Sequence, residues 1–191
     1  MAIRKQPRSI YQLKITLKDC RPPIWRRVQV RSNATLGQLH WVIQISMGWT
    51  NSHLHSFNIQ GVEYGVPMSE FDFDDIEVRD EQTVTLSKIV PGEKFKFSYL
   101  YDFGDSWEHE VLVEKVLDAD PKIDYPICIK GKRACPPEDC GGVWGYREFL
   151  EAIQDPDHPE HERMLEWIGG FFDPEDAELE DVNHQFKQIP D

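Results

Sequence analysis

The sequence contains no uninterrupted apolar stretch longer than a few residues, Trp41-Val42-Ile43 and Val111-Leu112-Val113 being typical, whereas a membrane-spanning helix needs roughly 20. This predicts a soluble protein with no membrane partner. No apolar segment follows the basic start MAIRKQPRSI, so a secretory leader is not expected and a reducing cytoplasm is the expected localisation. Cysteine is scarce, at four residues, and in that compartment the four are expected to be thiols or ligands rather than disulfides. There is no phosphate loop, Gly-x-Ser-x-Gly elbow, His-Glu-x-x-His pair, dinucleotide fingerprint, internal repeat or low-complexity tract. These absences remove enzyme classes whose motifs are local and leave those whose residues assemble only in space.

Acid is abundant. Lys and Arg number 21 against 34 Asp and Glu, a net charge of −13. Residues 1–33 hold nine basic side chains (Arg4, Lys5, Arg8, Lys14, Lys18, Arg21, Arg26, Arg27, Arg31) against Asp19 alone, which is +8, so residues 34–191 carry −21. A field of that sign opposes the phosphate neutralisation that gives duplex binding most of its affinity. Nucleic acid is therefore disfavoured as a partner. A DNA-associated accessory role would fall to the basic segment 4–31; the competing expectation is that its cations are solvated or face the protein's own acidic half.

Tyr11, Leu13, Ile15 and Leu17 alternate with polar residues, the period of a half-buried strand. After Arg21-Pro22-Pro23, residues 24–31 read as its antiparallel partner, with Ile24, Val28 and Val30 on one face and Trp25, Arg27 and Arg31 on the other. Thr35 and Gln38 form a capping box, Leu36, Leu39, Ile43 and Met47 recur at helical spacing, and Gly48 supplies the stop, predicting a helix over 35–47. Residues 54–59 and 62–64 read as short strands turning at Gln60-Gly61. Asp72, Asp74 and Asp75 resemble the start of a calcium loop, but Glu77 and Thr83 occupy the positions where an EF-hand needs Gly and Glu. Alternation over about 94–117 predicts a long hairpin. A three-residue loop with Gly104 left-handed would set Tyr101 opposite Asp105, Tyr99 opposite Trp107, Phe97 opposite His109 and Lys96 opposite Glu110. Ile127-Cys128-Ile129 suggests one further strand. Helices are expected at about 143–154, 159–168 and 174–187, the last capped by Asp173 with Pro174 in its first turn. The expected fold is α+β: one domain over 1–191, strand-rich over 9–130 and helical over 143–187, with a mainly antiparallel, curled sheet.

Two segments concentrate chemistry. The hairpin tip carries Tyr101, Asp102, Asp105, Trp107 and His109, and Asp102, Asp105 and His109 are the types needed for metal coordination or acid/base work. An Asp opening a turn also bonds backbone amides two residues on, and a histidine among apolar neighbours is commonly a core residue. The loop Cys135-Pro136-Pro137-Glu138-Asp139-Cys140-Gly141-Gly142 supplies acids and thiols. Cys128, Cys135 and Cys140, with Cys20 or a histidine as fourth ligand, satisfy tetrahedral zinc in number, but six and four intervening residues are not the two-residue knuckle of common zinc sites. Zinc is an admissible cofactor and not the favoured one. His53 and His55 lie two apart, as two ligands on one strand face would.

Taken together, IYQLKITLKDCRPPIWRRVQV, YLYDFGDSWEHEVLVEK, CPPEDCGGVWGYREFLEAI and WIGGFFDPEDAELEDVN resemble the plasmid pRiA4b ORF-3-like family over about residues 9–187. The resemblance implies a single α+β domain of unresolved biochemical role, with a link to plasmid or mobile-element genes. Some relatives carry a transposon-passenger or resolvase-like label, yet no serine in an arginine-lined site is visible here. The family supplies no catalytic residues to carry over. Its motif positions, Tyr101, Asp102, Gly104, Asp105, Trp107, His109, Cys135, Pro136, Pro137, Asp139, Cys140, Gly141, Gly142 and Tyr146, are candidates.

The leading expectation is a non-enzymatic binding module for a protein or small ligand, its surface formed by Tyr101, Asp102, Asp105, Trp107, His109, Glu138, Asp139 and Tyr146 where the hairpin tip meets the 131–146 loop. The rival is a metal-dependent hydrolase or nuclease built on Asp102, Asp105 and His109.

Overall fold

The computed structural model describes residues 9–67 and 78–189; Arg4, Lys5, Arg8, Asp72, Asp74 and Asp75 lie outside the described residues. Among the described residues eight strands form one sheet: β1 (Ser9–Leu17), β2 (Ile24–Arg31), β3 (His55–Ile59), β4 (Val62–Gly65), β5 (Arg79–Asp80), β6 (Lys96–Tyr101), β7 (Trp107–Asp118) and β8 (Ile127–Lys132), in the order β5-β4-β3-β6-β7-β1-β2-β8. Neighbours are antiparallel except β4 and β5, and the sheet does not close into a barrel. The fold is α+β. Among the described residues five helices accompany the sheet: α1 (Leu36–Met47), α2 (Leu86–Ile89), α3 (Gly142–Gln154), α4 (His161–Ile168) and α5 (Leu179–Phe186). None of the described helices is long and apolar enough to cross a membrane.

The alternating pattern of β1 places Leu13, Ile15 and Leu17 in the core, where truncation of such a side chain to Ala costs about 2–5 kcal/mol. Thr35 caps α1 through the reciprocal Thr35–Gln38 bonds, and Gly48 ends it left-handed at φ 76°. Tyr146 and Phe149 of α3 and Val182 and Phe186 of α5 join the same core cluster as the sheet and α1.

Three expectations need correction. In the hairpin, Tyr101 pairs with Trp107, Tyr99 with His109 and Phe97 with Val111, because the loop spans Asp102–Ser106 and the left-handed residues are Asp102 (φ 54°) and Ser106 (φ 55°), not Gly104. Alternation settles which face a side chain takes, and a slip of two residues leaves every face unchanged. Lys96 accordingly faces Leu112 but still reaches Glu110 diagonally, at 2.9 Å. The last helix starts at Leu179: Asp173 caps a turn instead, its carboxylate accepting the Glu175 N–H at 2.9 Å. Finally, Arg26 points into the core at 2% exposure and its guanidinium donates to the carbonyls of Ser46, at the C-terminal end of α1, Trp25 and Lys132. A cation there complements both the unpaired carbonyls and the negative end of the helix dipole.

Candidate functional site

The hairpin tip and the 135–142 loop meet, and a third segment joins them. Gly48 turns the chain out of α1 so that Trp49 enters the core, stacks on Tyr101 (ring centroids 4.8 Å apart) and donates its indole N–H to the Pro136 carbonyl at 2.9 Å. The loop's paired glycines allow close approach. Gly141 and Gly142 are left-handed at φ 90° and 69°, and a Cβ on Gly142 would fall 2.9 Å from the Asp105 carbonyl oxygen. The Gly141 N–H donates to the Asp105 carboxylate at 3.0 Å.

Glu138 is held by both other segments. One of its carboxylate oxygens accepts the Tyr101 hydroxyl at 2.9 Å, the Thr50 N–H at 2.7 Å and the Thr50 hydroxyl at 3.1 Å. Tyr101 in turn accepts the Ser52 N–H at 3.0 Å. Asp102 is buried, and one carboxylate oxygen accepts the Gly104 N–H at 2.9 Å, the local turn bond its position implied. Its other oxygen faces His53 Nε2 at 3.7 Å; Asp139 Oδ1 stands 3.0 Å and Glu138 Oε2 4.0 Å from the same nitrogen. That nitrogen is shielded from solvent and has no aligned hydrogen-bond partner. One donor atom each from His53, Asp102 and Asp139 lies within 4.8 Å of the others, the one such group of metal-binding side chains among the described residues.

The sequence-derived candidates therefore divide. Asp102, Asp105, Glu138 and Asp139 come together, with Tyr101 beneath them at 0% exposure, bonded to Glu138. Trp107, His109 and Tyr146 do not line that surface: they are 1%, 0% and 4% exposed. Tyr146 donates its hydroxyl to the Ala134 carbonyl. His109 packs against the Trp49 and Tyr99 rings, and burial pushes its imidazole down to about 4. The carbonyls of Tyr99 and Trp107 favour the protonated ring slightly, but neither ring nitrogen has an aligned partner. The set Asp102, Asp105 and His109 is not assembled, because His109 lies on the buried face of β7, opposite Tyr99.

Cys128, Cys135 and Cys140 do not converge into a ligand group. Cys128 and Cys135 are buried, the latter with its sulfur 3.0 Å from the Met47 sulfur. Burial raises all four thiols, Cys20 to about 11 and Cys140, with the Asp105 charge adding, to about 12. Such groups stay protonated, which opposes both nucleophilic attack and zinc ligation. His53 and His55 also separate. His55 stacks on His40 at 3.5 Å and meets Glu81 at 2.8 Å, while His53 precedes β3 and turns to the acids. The sequence marks His53 as a ligand type but pairs it with His55 rather than with the acids, and Thr50 and Trp49 carry no mark beyond the run Trp49-Thr50-Asn51-Ser52-His53 after the Gly48 stop.

Beside Asp139 and Cys140 a cleft of about 490 Å³ opens between α3 and α4, lined also by Glu148, Glu151, Phe149 and Trp167.

The family model described as plasmid pRiA4b ORF-3-like protein matches residues 9–181. The chain belongs to the plasmid pRiA4b ORF-3-like family. Among family relatives, it is 42% identical over 161 residues to the uncharacterized protein y4hQ of Sinorhizobium fredii (strain NBRC 101917 / NGR234), covering 84% of this chain and 81% of that one. It is also similar to the crystal structure of the protein of unknown function MM3350 from Methanosarcina mazei Go1, with TM-score 0.81, 38% identity, and coverage of 92% of this chain and 98% of that one. Neither of these similar proteins carries a stated activity.

Proposed function

We propose that the protein is a non-enzymatic binding module whose surface is the junction of the hairpin tip, the 135–142 loop and the segment after α1, together with the adjoining α3/α4 cleft. The observation that carries this reading is the Asp105–Gly141 bond, which ties two segments 36 residues apart into one acidic recess. Oxygens of Asp102, Glu138 and Asp139 gather within 4.0 Å of His53 Nε2, Asp139, Glu148 and Glu151 carry negative charge into the cleft, and Phe149 and Trp167 give the cleft an apolar wall. A volume of about 490 Å³ is that of a small-molecule site, and the charge favours a ligand with a positive group and an apolar body.

Two other readings have less support. The hydrolase built on Asp102, Asp105 and His109 lacks its histidine, which is sealed in the core. In the basic segment, Arg26 is buried, Arg27 pairs with Glu114 at 2.7 Å and lies over Trp25, and Lys18 pairs with Glu108, so these cations are used internally.

Titrating isotope-labelled protein with a set of amine-bearing aromatic fragments and Lys/Arg-containing tripeptides tests the reading by NMR. Perturbed amides should cluster at 50–53, 102–106 and 138–152. Perturbations mapping to another face, or none at millimolar ligand, overturn it.

A further inference from the structure

We propose that the floor of the recess is a binding site for a divalent transition-metal ion, with His53 Nε2, Asp102 Oδ2 and Asp139 Oδ1 as ligands. The proposal rests on the reading of this junction as a binding surface and names what its deepest point takes.

The geometry around the imidazole separates a metal site from an ion pair. A histidine serving only as partner to an acid aims its N–H along one donor–acceptor line. His53 Nε2 instead lies 3.0, 3.7 and 4.0 Å from oxygens of three different carboxylates and is aligned with none, although it is hidden from water. A buried polar atom without a partner costs about 1–3 kcal/mol. An ion at the centre of the cluster removes that cost and the mutual repulsion of the acids together.

The donor spacing fits after a contraction. Ligand atoms about 2.1 Å from one tetrahedral ion stand about 3.4 Å apart; His53 Nε2 already lies 3.0 Å from the Asp139 oxygen and 3.7 Å from the Asp102 oxygen, and all three donors lie within 4.8 Å of one another, so the widest pair closes by up to about 1.4 Å. Access is graded: the side chain of Asp139 is 72% exposed, that of His53 29% and that of Asp102 11%. The ion would enter past Asp139 and keep positions on that side open to water or to a partner's donor. Glu138 is already engaged by Tyr101 and Thr50 and acts as an outer partner that fixes the wall.

The donor set selects the class of ion. Oxygen-only sites suit Mg²⁺ and Ca²⁺, and an imidazole nitrogen shifts preference toward Mn²⁺, Fe²⁺ and Zn²⁺. The thiols take no part: no cysteine sulfur belongs to the group.

The test uses the full chain stripped with a chelator and titrated with Mn²⁺ and Zn²⁺ by calorimetry, with Mg²⁺ and Ca²⁺ in parallel. One equivalent of Mn²⁺ or Zn²⁺ should bind and raise the melting temperature, and Mg²⁺ or Ca²⁺ should bind at least tenfold more weakly. Asp102→Asn and Asp139→Asn keep size and turn-forming ability, and His53→Gln keeps a polar side chain. Each should fold as judged by an unchanged metal-free melting curve, and each should weaken binding by 10-fold or more, whereas Glu110→Gln, remote on the hairpin, should not. Pulsed paramagnetic resonance of the Mn²⁺ form should show nitrogen coupling that His53→Gln abolishes. No binding of Mn²⁺ or Zn²⁺, Ca²⁺ binding of equal strength, or bound Mn²⁺ without nitrogen coupling overturns the proposal. Loss of the metal with ligand-perturbed amides still at 102–106 and 138–152 would remove the ion and leave the binding face; the reverse would remove the binding face and leave the ion.

Discussion

The Asp105 carboxylate accepts the backbone N–H of Gly141 at 3.0 Å, while a Cβ on the next residue, Gly142, would come within 2.9 Å of the Asp105 carbonyl oxygen. One residue of the hairpin tip thus both anchors the loop and demands glycine from it. Removing the anchor should loosen the loop without unfolding the sheet. Asp105→Ala is expected to cost about 0.5–1.5 kcal/mol, the net range for a hydrogen bond at an exposed position, where water takes the place of the lost partner. The same change takes away a negative charge that adds to burial in raising the Cys140 thiol to about 12. Cys140, the one cysteine not fully buried, should therefore react with a disulfide reagent several-fold faster in Asp105→Ala than in the parent. Equal rates would show that this contact does not hold the loop.

How much of this was legible in the sequence depends on which residues carried the signal. Alternation in β1 and β2 and the Thr35–Gln38 box state their own local structure, and both elements are present as expected. Alternation is blind to an even slip, so the hairpin's faces were readable and its register was not. That ambiguity changed the partner of His109, Tyr99 instead of Phe97, and left the ring on the core face in either register. Arg26 alternates with Trp25 and Arg27 and carries the ordinary mark of a surface residue; only the arrival of the α1 carbonyls beside β2 makes its burial favourable. His53 was visible as a metal-binding type, but its partners come from positions 102 and 139, and no local pattern encodes a meeting at that separation.

His109 is an unpartnered imidazole in an apolar setting, and a volume-conserving apolar replacement should be tolerated. His109→Leu removes the penalty of about 1–3 kcal/mol for unsatisfied buried polar atoms and risks less than about 1.5 kcal/mol in repacking. Stability at pH 7, measured by urea unfolding, is expected to equal or exceed that of the parent. A loss greater than about 2 kcal/mol would mean that the ring has a partner holding it in the core.

Arg26 and Arg27 are neighbours in sequence with opposite environments, which makes their ranking a sharp check of the sheet's orientation. Arg26→Met keeps the aliphatic stem and strands the carbonyls of Ser46 and Lys132, an expected cost of about 2–4 kcal/mol for more than one buried acceptor. Arg27→Met breaks a half-buried pair with Glu114 and a stack on Trp25, for about 1 kcal/mol. The reverse order in denaturant titrations would place Arg26 outside the core.

Burial, with the stacked His55 ring adding, holds His40 down to about 3, and burial holds His109 down to about 4. In the unfolded chain both rings titrate near the ordinary value of 6.5. Between those limits the unfolded state binds more protons than the folded one, so stability increases with pH. Above about pH 7 the full stability is present. As pH falls below 6.5, each ring subtracts up to about 1.4 kcal/mol per unit, and the loss levels off only below the folded values near 4 and 3. Melting temperature should therefore drop steeply between pH 6.5 and 4.5. In His109→Leu the slope over that window should fall to roughly half, because His40 alone remains of the two. A parent profile that is flat down to pH 4.5, or a variant profile as steep as the parent's, would show that these imidazoles are not buried in their neutral form.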